Sequence, residues 1–436
     1  MHLVRALVAL APLLVATGPS PSAATTRPER ERGELHDRIV RAKLDRVLGP
    51  AMRRNGISMW IVLVREDEVD PVFPFVTHDG AYAGSRNAWV FVDDGGPRPR
   101  RIQVGNEMRG PFADEAIEAG PDELGEELRA LADRYRPRRI ALDVAFHLPA
   151  ADGLSASLRD WLAKALGPHA RKVASAEGLV RDYLGTRLPE ELPLFTEAAE
   201  VTESVWREAL SARAIRPGQT TVGDLLWFVR QRYADLHVGS WFRPDVRVQR
   251  QGVKFDPGDA APDDLVIRPG DVVHLDLGIV YLGFATDYQR LAYVPREGEE
   301  EVPPGLTRAL AATNRLQELL VAEMQPGRAG RDVAAAALAR ATAEGLQAMI
   351  HSHSVGNFGH CVGASIGSFK PDAKPGPRSG LPLREGAYTA IELATRSAVP
   401  EWGGQELVVM MEDDAWLAPD GMRYFVPRQT SWIVVR

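Results

Sequence analysis

Four acidic side chains stand where a folded chain should tolerate none: Asp276, Asp287, Glu392 and Glu412. The first two lie in HLDLGIVYLGFATDYQRLAY, His274 to Tyr293, which reads as two apolar strands around a turn near Leu282-Gly283; Glu392 lies within TAIELAT and Glu412 follows LVVMM. An ionised carboxylate buried without a partner costs several kcal/mol or takes up a proton. Side chains alternate across a strand, so His274, Asp276 and Gly278 share a face. The turn then brings Asp276 and Asp287 to near-opposite cross-strand positions, where like charges repel. Metal resolves the conflict. Two divalent cations would neutralise four carboxylates, with Asp276 or Glu412 bridging them at about 3.5–4 Å, as in two-metal hydrolases. A neutral imidazole commonly completes such a set, and His360 in NFGHCVG, flanked by Gly359 and Gly363, is the candidate.

In that order, Asp276, Asp287, His360, Glu392 and Glu412 resemble the metal-binding pattern of the pita-bread metallopeptidases: methionine aminopeptidase, aminopeptidase P, prolidase and creatinase. The paired aspartates of HLDLGIVYLGFATDYQR, the histidine of GHCVG, the glutamate of AIEL and that of MMEDDAWL each match. The resemblance runs from Leu184 to Arg436, and the upstream segment is similar to the N-terminal domain of creatinase and prolidase. It implies an exopeptidase acting near a free N-terminus, as an Xaa-Pro aminopeptidase or dipeptidase. The implied cofactor is a pair of divalent ions (Mn2+, Co2+, Fe2+ or Zn2+) held by those five residues, with Glu392 also carrying a proton to the leaving nitrogen. Creatinase-like cleavage of a non-peptide C–N bond is one alternative. A catalytically weak periplasmic binding protein that retains the fold is the other.

The family pattern includes further histidines that are missing here. Gly356 stands four residues before His360 and Gly367 seven after it, while VRVQRQGVKF, upstream of Asp276, offers Gln249, Arg250 and Gln251. His351, His353 and Asn357 are close enough to substitute, and His353 is the candidate catalytic residue. His274 reads as a supporting or packing side chain. GASIG, Gly363 to Gly367, has the form of a hydrolase nucleophile elbow, but that arrangement needs a later histidine, and none follows Ser365. Cys361 would point away from His360 on an extended chain and reads as a packing residue.

These residues need elements to position them. From about Arg30 to Asp182, strand signals (Ser58 to Glu66, Asn87 to Asp94, RRIQVG, RRIALDV) alternate with the helical spacing of DELGEELRALADRY and SASLRDWLAKAL, an α/β pattern. Its histidines His78 and His147 are isolated. A boundary falls near Leu184 to Pro189, dividing an α/β domain over 30–184 from an α+β pita-bread domain over 185–436. In the second domain, helices at LPEELPLFTEAAEVTESVWREALSARAI, VGDLLWFVRQRYADL, GLTRALAATNRLQELLVAEM and GRDVAAAALARATAEGL accompany strands within Val272 to Ala292. AYTAIELAT, QELVVMMEDD and TSWIVVR close the chain as strands.

Composition sets the outer limits. The chain has 436 residues, 45% hydrophobic and 25% charged, ordinary for a globular protein of two domains or more. Its net charge of −7, with both signs interspersed, gives no footprint for nucleic acid or anionic membrane. A peptide or small-molecule substrate is expected, and a homodimer contact is one role that the resemblance implies for the N-terminal domain. A basic start, the 12-residue apolar run ALVALAPLLVAT and small residues before Ala24 read as a secretory signal over 1–24, too short to span a bilayer. A periplasmic or secreted protein is therefore expected, with no membrane association after cleavage. The sole cysteine, Cys361, excludes an internal disulfide.

Overall fold

The computed structural model describes residues 25–67, 69–106, 110–368, 374 and 376–436. The expected signal segment lies outside the described residues.

Toward the N-terminus, six strands form a mixed sheet in the order Glu115–Glu118, Arg100–Gly105, Asn87–Val92, Met59–Val64, Ile140–Leu142, Val173–Ser175. Every residue of Met59–Val64 is buried, because helices cover both faces. Met59, Ile61 and Leu63 pack against Leu128 and Leu131 of helix Leu124–Tyr135 and Leu158 and Leu162 of helix Ala156–Leu166. Trp60, Val62 and Val64 turn the other way, toward Leu44, Met52, Leu179 and Tyr183. This second core also takes in Cys361 and Val362, with Phe358 packed against it. The segment carrying His360 is thereby moored to the N-terminal half of the molecule. Arg187, buried between the halves, adds a polar tie through Nη1 to Asn357 Oδ1 at 2.7 Å and Glu191 Oε1 at 3.2 Å.

The larger sheet has nine strands. Along its main path they run Ser365–Gly367, Gln347–Ser354, Tyr388–Val399, Gln405–Ala418, Tyr288–Tyr293, Val272–Leu277, Asp245–Gln249; Gly421–Tyr424 and Ile433–Val434 join off that path. Helices Leu192–Ala209, Val222–Asp235, Pro304–Glu323 and Gly330–Ala343 accompany it. The third of these begins one residue before the expected span, and Thr221 and Asp224 exchange hydrogen bonds at the start of the second as a capping box. Val273, Leu275 and Leu277 pack beneath Val201, Val205, Leu225 and Val229, while Ile391, Leu393 and Leu417 pack against Leu316, Leu320 and Val333. Alternation then sends Asp276, Glu392 and Glu412 to the opposite face.

The turn in HLDLGIVYLGFATDYQRLAY lies where expected. Leu282 and Gly283 have φ of 54° and 78°, the left-handed backbone of a two-residue hairpin turn, so Tyr281 pairs with Phe284 and Val280 with Ala285. The same register continues into the longer strands and sets Asp276 opposite Gln289, not opposite Asp287. Asp287 lies diagonally across from Asp276.

Candidate metal centre

Two transverse rows of polar side chains cross the face left free by the helices. In the first, Asp276 pairs with Gln289, Gln289 with Glu412, and Glu412 with Glu392. His351 extends it, placing Nδ1 2.7 Å from Glu392 Oε2. The second row lies two residues along. Asp287 donates its backbone N–H to Asp414 Oδ2 at 2.9 Å, Asp414 pairs with Ala390, and Ala390 with His353. Behind the rows, on the helix side, Arg290 Nη1 donates to the carbonyls of Gln289 at 2.9 Å and Glu412 at 2.8 Å, and Nη2 lies 2.7 Å from Asp413 Oδ1. One buried guanidinium thus pins two of the site strands together.

The rows converge on His353. Its Nε2 lies 3.3 Å from Glu412 Oε1, 3.5 Å from Asp287 Oδ2 and 3.9 Å from Glu392 Oε2. Among the described residues, Asp287, His353 and Glu412 form a buried group whose potential ligand atoms all lie within 4.8 Å of one another. Burial, then the neighbouring carboxylates, hold Asp276, Asp287 and Glu412 well above the usual carboxylate range. Burial pushes His353 down, which keeps Nε2 available as a lone-pair donor. Glu412 Oε1 is buried and accepts no hydrogen bond within the described residues. An orphaned carboxylate oxygen facing a neutral imidazole and a second carboxylate fits a divalent cation in both charge and donor type.

The sequence expectation placed His360 in this group. The structure does not. His360 is exposed, with its ring edge-on to His353 at 4.4 Å between centroids and to Trp241 at 5.3 Å. The physical reason is local: Gln347–Ser354 is a strand, paired through His353 with Ala390, so its side chains are presented to the acids, whereas His360 lies beyond it in a loop anchored on the N-terminal core. His353, the candidate catalytic residue, stands in this group where His360 was expected. His351 reaches Glu392. Asn357 instead holds the chain, accepting from Arg187 and donating to Gly283 O. Gln249 exchanges two hydrogen bonds with the backbone of Val408, and Arg250 pairs with Asp271 at 2.7 Å, so neither enters the site. Ser365 begins a strand and Cys361 is buried in the core, in keeping with the dismissal of both as nucleophiles.

Gln289 is the site residue that the sequence reading passed over. Its Nε2 donates to Glu392 Oε1 at 2.9 Å and Glu412 Oε2 at 3.0 Å and lies 3.4 Å from Asp276 Oδ2; its Oε1 lies 3.1 Å from His274 Nε2. Beside this row opens a cavity of about 600 Å³, lined by Asp276, Gln289, His351 and Glu392 on its polar side and by apolar residues including Met349 and Met410.

Residues 193–417 match the profile of metallopeptidase family M24, more than half of the chain. The chain therefore belongs to metallopeptidase family M24. It is 26% identical over 239 residues to the Bacillus subtilis (strain 168) protein named uncharacterized peptidase YqhT, an alignment covering 54% of this chain and 60% of that protein. The chain thus spans about 60% of the length of this curated relative. The fold is similar to that of X-Pro aminopeptidase from Thermotoga maritima MSB8, with a TM-score of 0.66 and 18% identity over 88% of this chain and 100% of that one. Xaa-Pro dipeptidase from Bacillus anthracis gives 0.62 and 19%, over 91% and 100%. Prolidase from Pyrococcus horikoshii OT3 gives 0.58 and 16%, over 90% and 99%. At these identities the likeness is one of architecture, and it agrees with the two-domain pita-bread fold expected from the sequence.

Proposed function

We propose that this chain is a divalent-metal exopeptidase, exported by the cell that makes it, which cleaves short peptides next to a free N-terminus, Xaa-Pro peptides foremost. The observation that carries this reading is the convergence of Asp287, His353 and Glu412 beside Glu392, which itself lines a cavity of about 600 Å³. Family membership supports the metal chemistry, and the names of the structural neighbours motivate the substrate class.

Asp287, His353 and Glu412 would hold the ion, with Glu392 at its edge. A divalent ion bound there supplies Lewis acidity toward a carbonyl oxygen and a lowered pKa for the attacking water. Glu392 is fixed at both oxygens, by His351 at Oε2 and by Gln289 at Oε1. That anchoring suits it to receive the water's proton at Oε2 and pass it to the leaving nitrogen. His360, exposed and edge-on to His353, is placed to orient the substrate carbonyl. Asp276, at the cavity wall, offers a carboxylate to the substrate's amino group.

The test is digestion of a panel of Xaa-Pro peptides, free or N-acetylated, by the mature protein with Mn2+ and after chelation. Metal-dependent release of the first residue from the free peptides alone is expected. Equal cleavage of acetylated peptides would remove the exopeptidase assignment, and turnover confined to small amidino compounds would replace it with creatinase-like chemistry.

A further inference from the structure

We propose that Gln289 makes this a one-ion centre: its carboxamide occupies the position between Asp276, Glu392 and Glu412 that a second cation would need. The inference rests on the metallopeptidase reading above and departs from the two ions that the sequence pattern implies.

The orientation of the amide is set by its neighbours. Nε2 donates to both Glu392 Oε1 and Glu412 Oε2, which takes up the two hydrogens of the NH2, and Oε1 faces His274. An acceptor at Oε1 requires His274 to carry its proton on Nε2, which leaves Nδ1 bare, and Nδ1 is buried without a partner within the described residues. The chain His274 to Gln289 to the acids is therefore internally consistent and polarised in one direction.

The NH2 also competes with an ion for the same space. In hydrogen bonds of ordinary length, the hydrogen stands about 1.9–2.0 Å from its acceptor. A divalent ion bound to carboxylate oxygens lies about 2.0–2.2 Å from them. Both N–H hydrogens of Gln289 already fill that shell at Glu392 Oε1 and Glu412 Oε2. The carboxamide contributes partial positive charge without a net charge. On the other side of Glu412, Oε1 accepts no hydrogen bond within the described residues and lies 3.3 Å from His353 Nε2, which is itself 3.5 Å from Asp287 Oδ2, leaving that group for a single ion.

Metal stoichiometry decides the matter. Wild-type protein, reconstituted with excess Mn2+ and desalted, is expected to hold one ion per chain by elemental analysis, with the electron paramagnetic resonance signal of an isolated Mn2+. Gln289→Thr, which keeps a strand-favouring residue but removes the amide, and Gln289→Glu, which keeps the shape but replaces the NH2 with oxygen, are each expected to hold two, with a spin-coupled signal. Two coupled ions in the wild type would overturn the inference while leaving the peptidase reading intact. One ion in both correctly folded variants would also overturn it, by removing Gln289 as the cause. No bound ion in the wild type would overturn both readings. The wild-type spectrum tests the claim even if one variant does not fold.

Discussion

His353 directs Nε2 to within 3.3 Å of Glu412 Oε1, while His360, seven residues further on, stands outside that group with its ring perpendicular to that of His353 at 4.4 Å. The two histidines should therefore fail differently. His353→Ala is expected to abolish stable metal loading, a larger effect than the about 10–100-fold loss seen when a residue only orients a ligand. His360→Ala is expected to retain its metal and lose about 10²–10³ in turnover, the scale of a transition-state donor. Elemental analysis beside steady-state kinetics separates them, and the reverse pattern would restore His360 as the ligand.

Arg290 offers a test of what holds the rows in register. It is buried with Asp413, lies over the rings of Trp206 and Tyr288, and ties the carbonyls of Gln289 and Glu412. Arg290→Met removes the cation beside Asp413 and leaves that buried carboxylate with the hydrogen bond from Gln317. Breaking such a pair costs about 3–5 kcal/mol. A lowered urea midpoint and weaker metal binding are expected together, because the strands of Gln289 and Glu412 lose their common anchor. The double variant Arg290→Met/Asp413→Leu should recover part of the stability, since no orphaned charge remains.

A second buried acidic pair, far from the metal centre, gives the chain a pH dependence of its own. Burial raises Asp70 to about 6 and holds Asp143 well above the usual range; Asp143 Oδ1 also accepts from Trp60 Nε1 at 3.0 Å. A carboxyl whose folded pKa is raised binds its proton more tightly in the folded state. Its contribution is fully present below the unfolded value, about 3.9, and is lost as pH rises through about 6. Metal-free protein should therefore lose melting temperature as pH rises from about 4 through about 6, read as the difference from Asp70→Asn, which cannot ionise there. An identical slope in the variant would show that the pair does not titrate in that window.

Much of this fold was legible because its strands bury apolar side chains. Met59–Val64, Asn87–Val92 and Gln405–Ala418 announce themselves in this way, and the acids that interrupt Val272–Leu277 and Tyr388–Val399 stand out against that background. Gln347–Ser354 was not legible. Its inward residues His351 and His353 face the site rather than a core, so QAMIHSHS lacks the alternation that marks a strand. The glycines around His360 mark that imidazole in the sequence, whereas His353 carries no such mark. Gln289 was within reach of the sequence: a two-residue turn at Leu282-Gly283 pairs Tyr281 with Phe284, and counting back sets Gln289 opposite Asp276. Among apolar neighbours it is charge that stands out, and an uncharged amide carries no such signal.

Gly359 provides the last test, because its missing side chain is what admits Trp241. A Cβ there would lie 2.2 Å from the indole ring, far inside contact distance. Trp241 in turn donates Nε1 to Thr286 O at 2.9 Å and meets the edge of His360. Gly359→Ala must displace the indole or the His360 loop, at a cost of about 1–3 kcal/mol typical of overpacking. None of Asp287, His353 or Glu412 is touched by that change, so metal content is expected to stay at the wild-type level while kcat/KM falls. Trimming the indole should relieve the clash, and Gly359→Ala/Trp241→Ala should then be no less stable than Trp241→Ala alone. Loss of bound metal in Gly359→Ala would instead mean that the His360 loop supports the centre directly, and the separation of roles between the two histidines would fall.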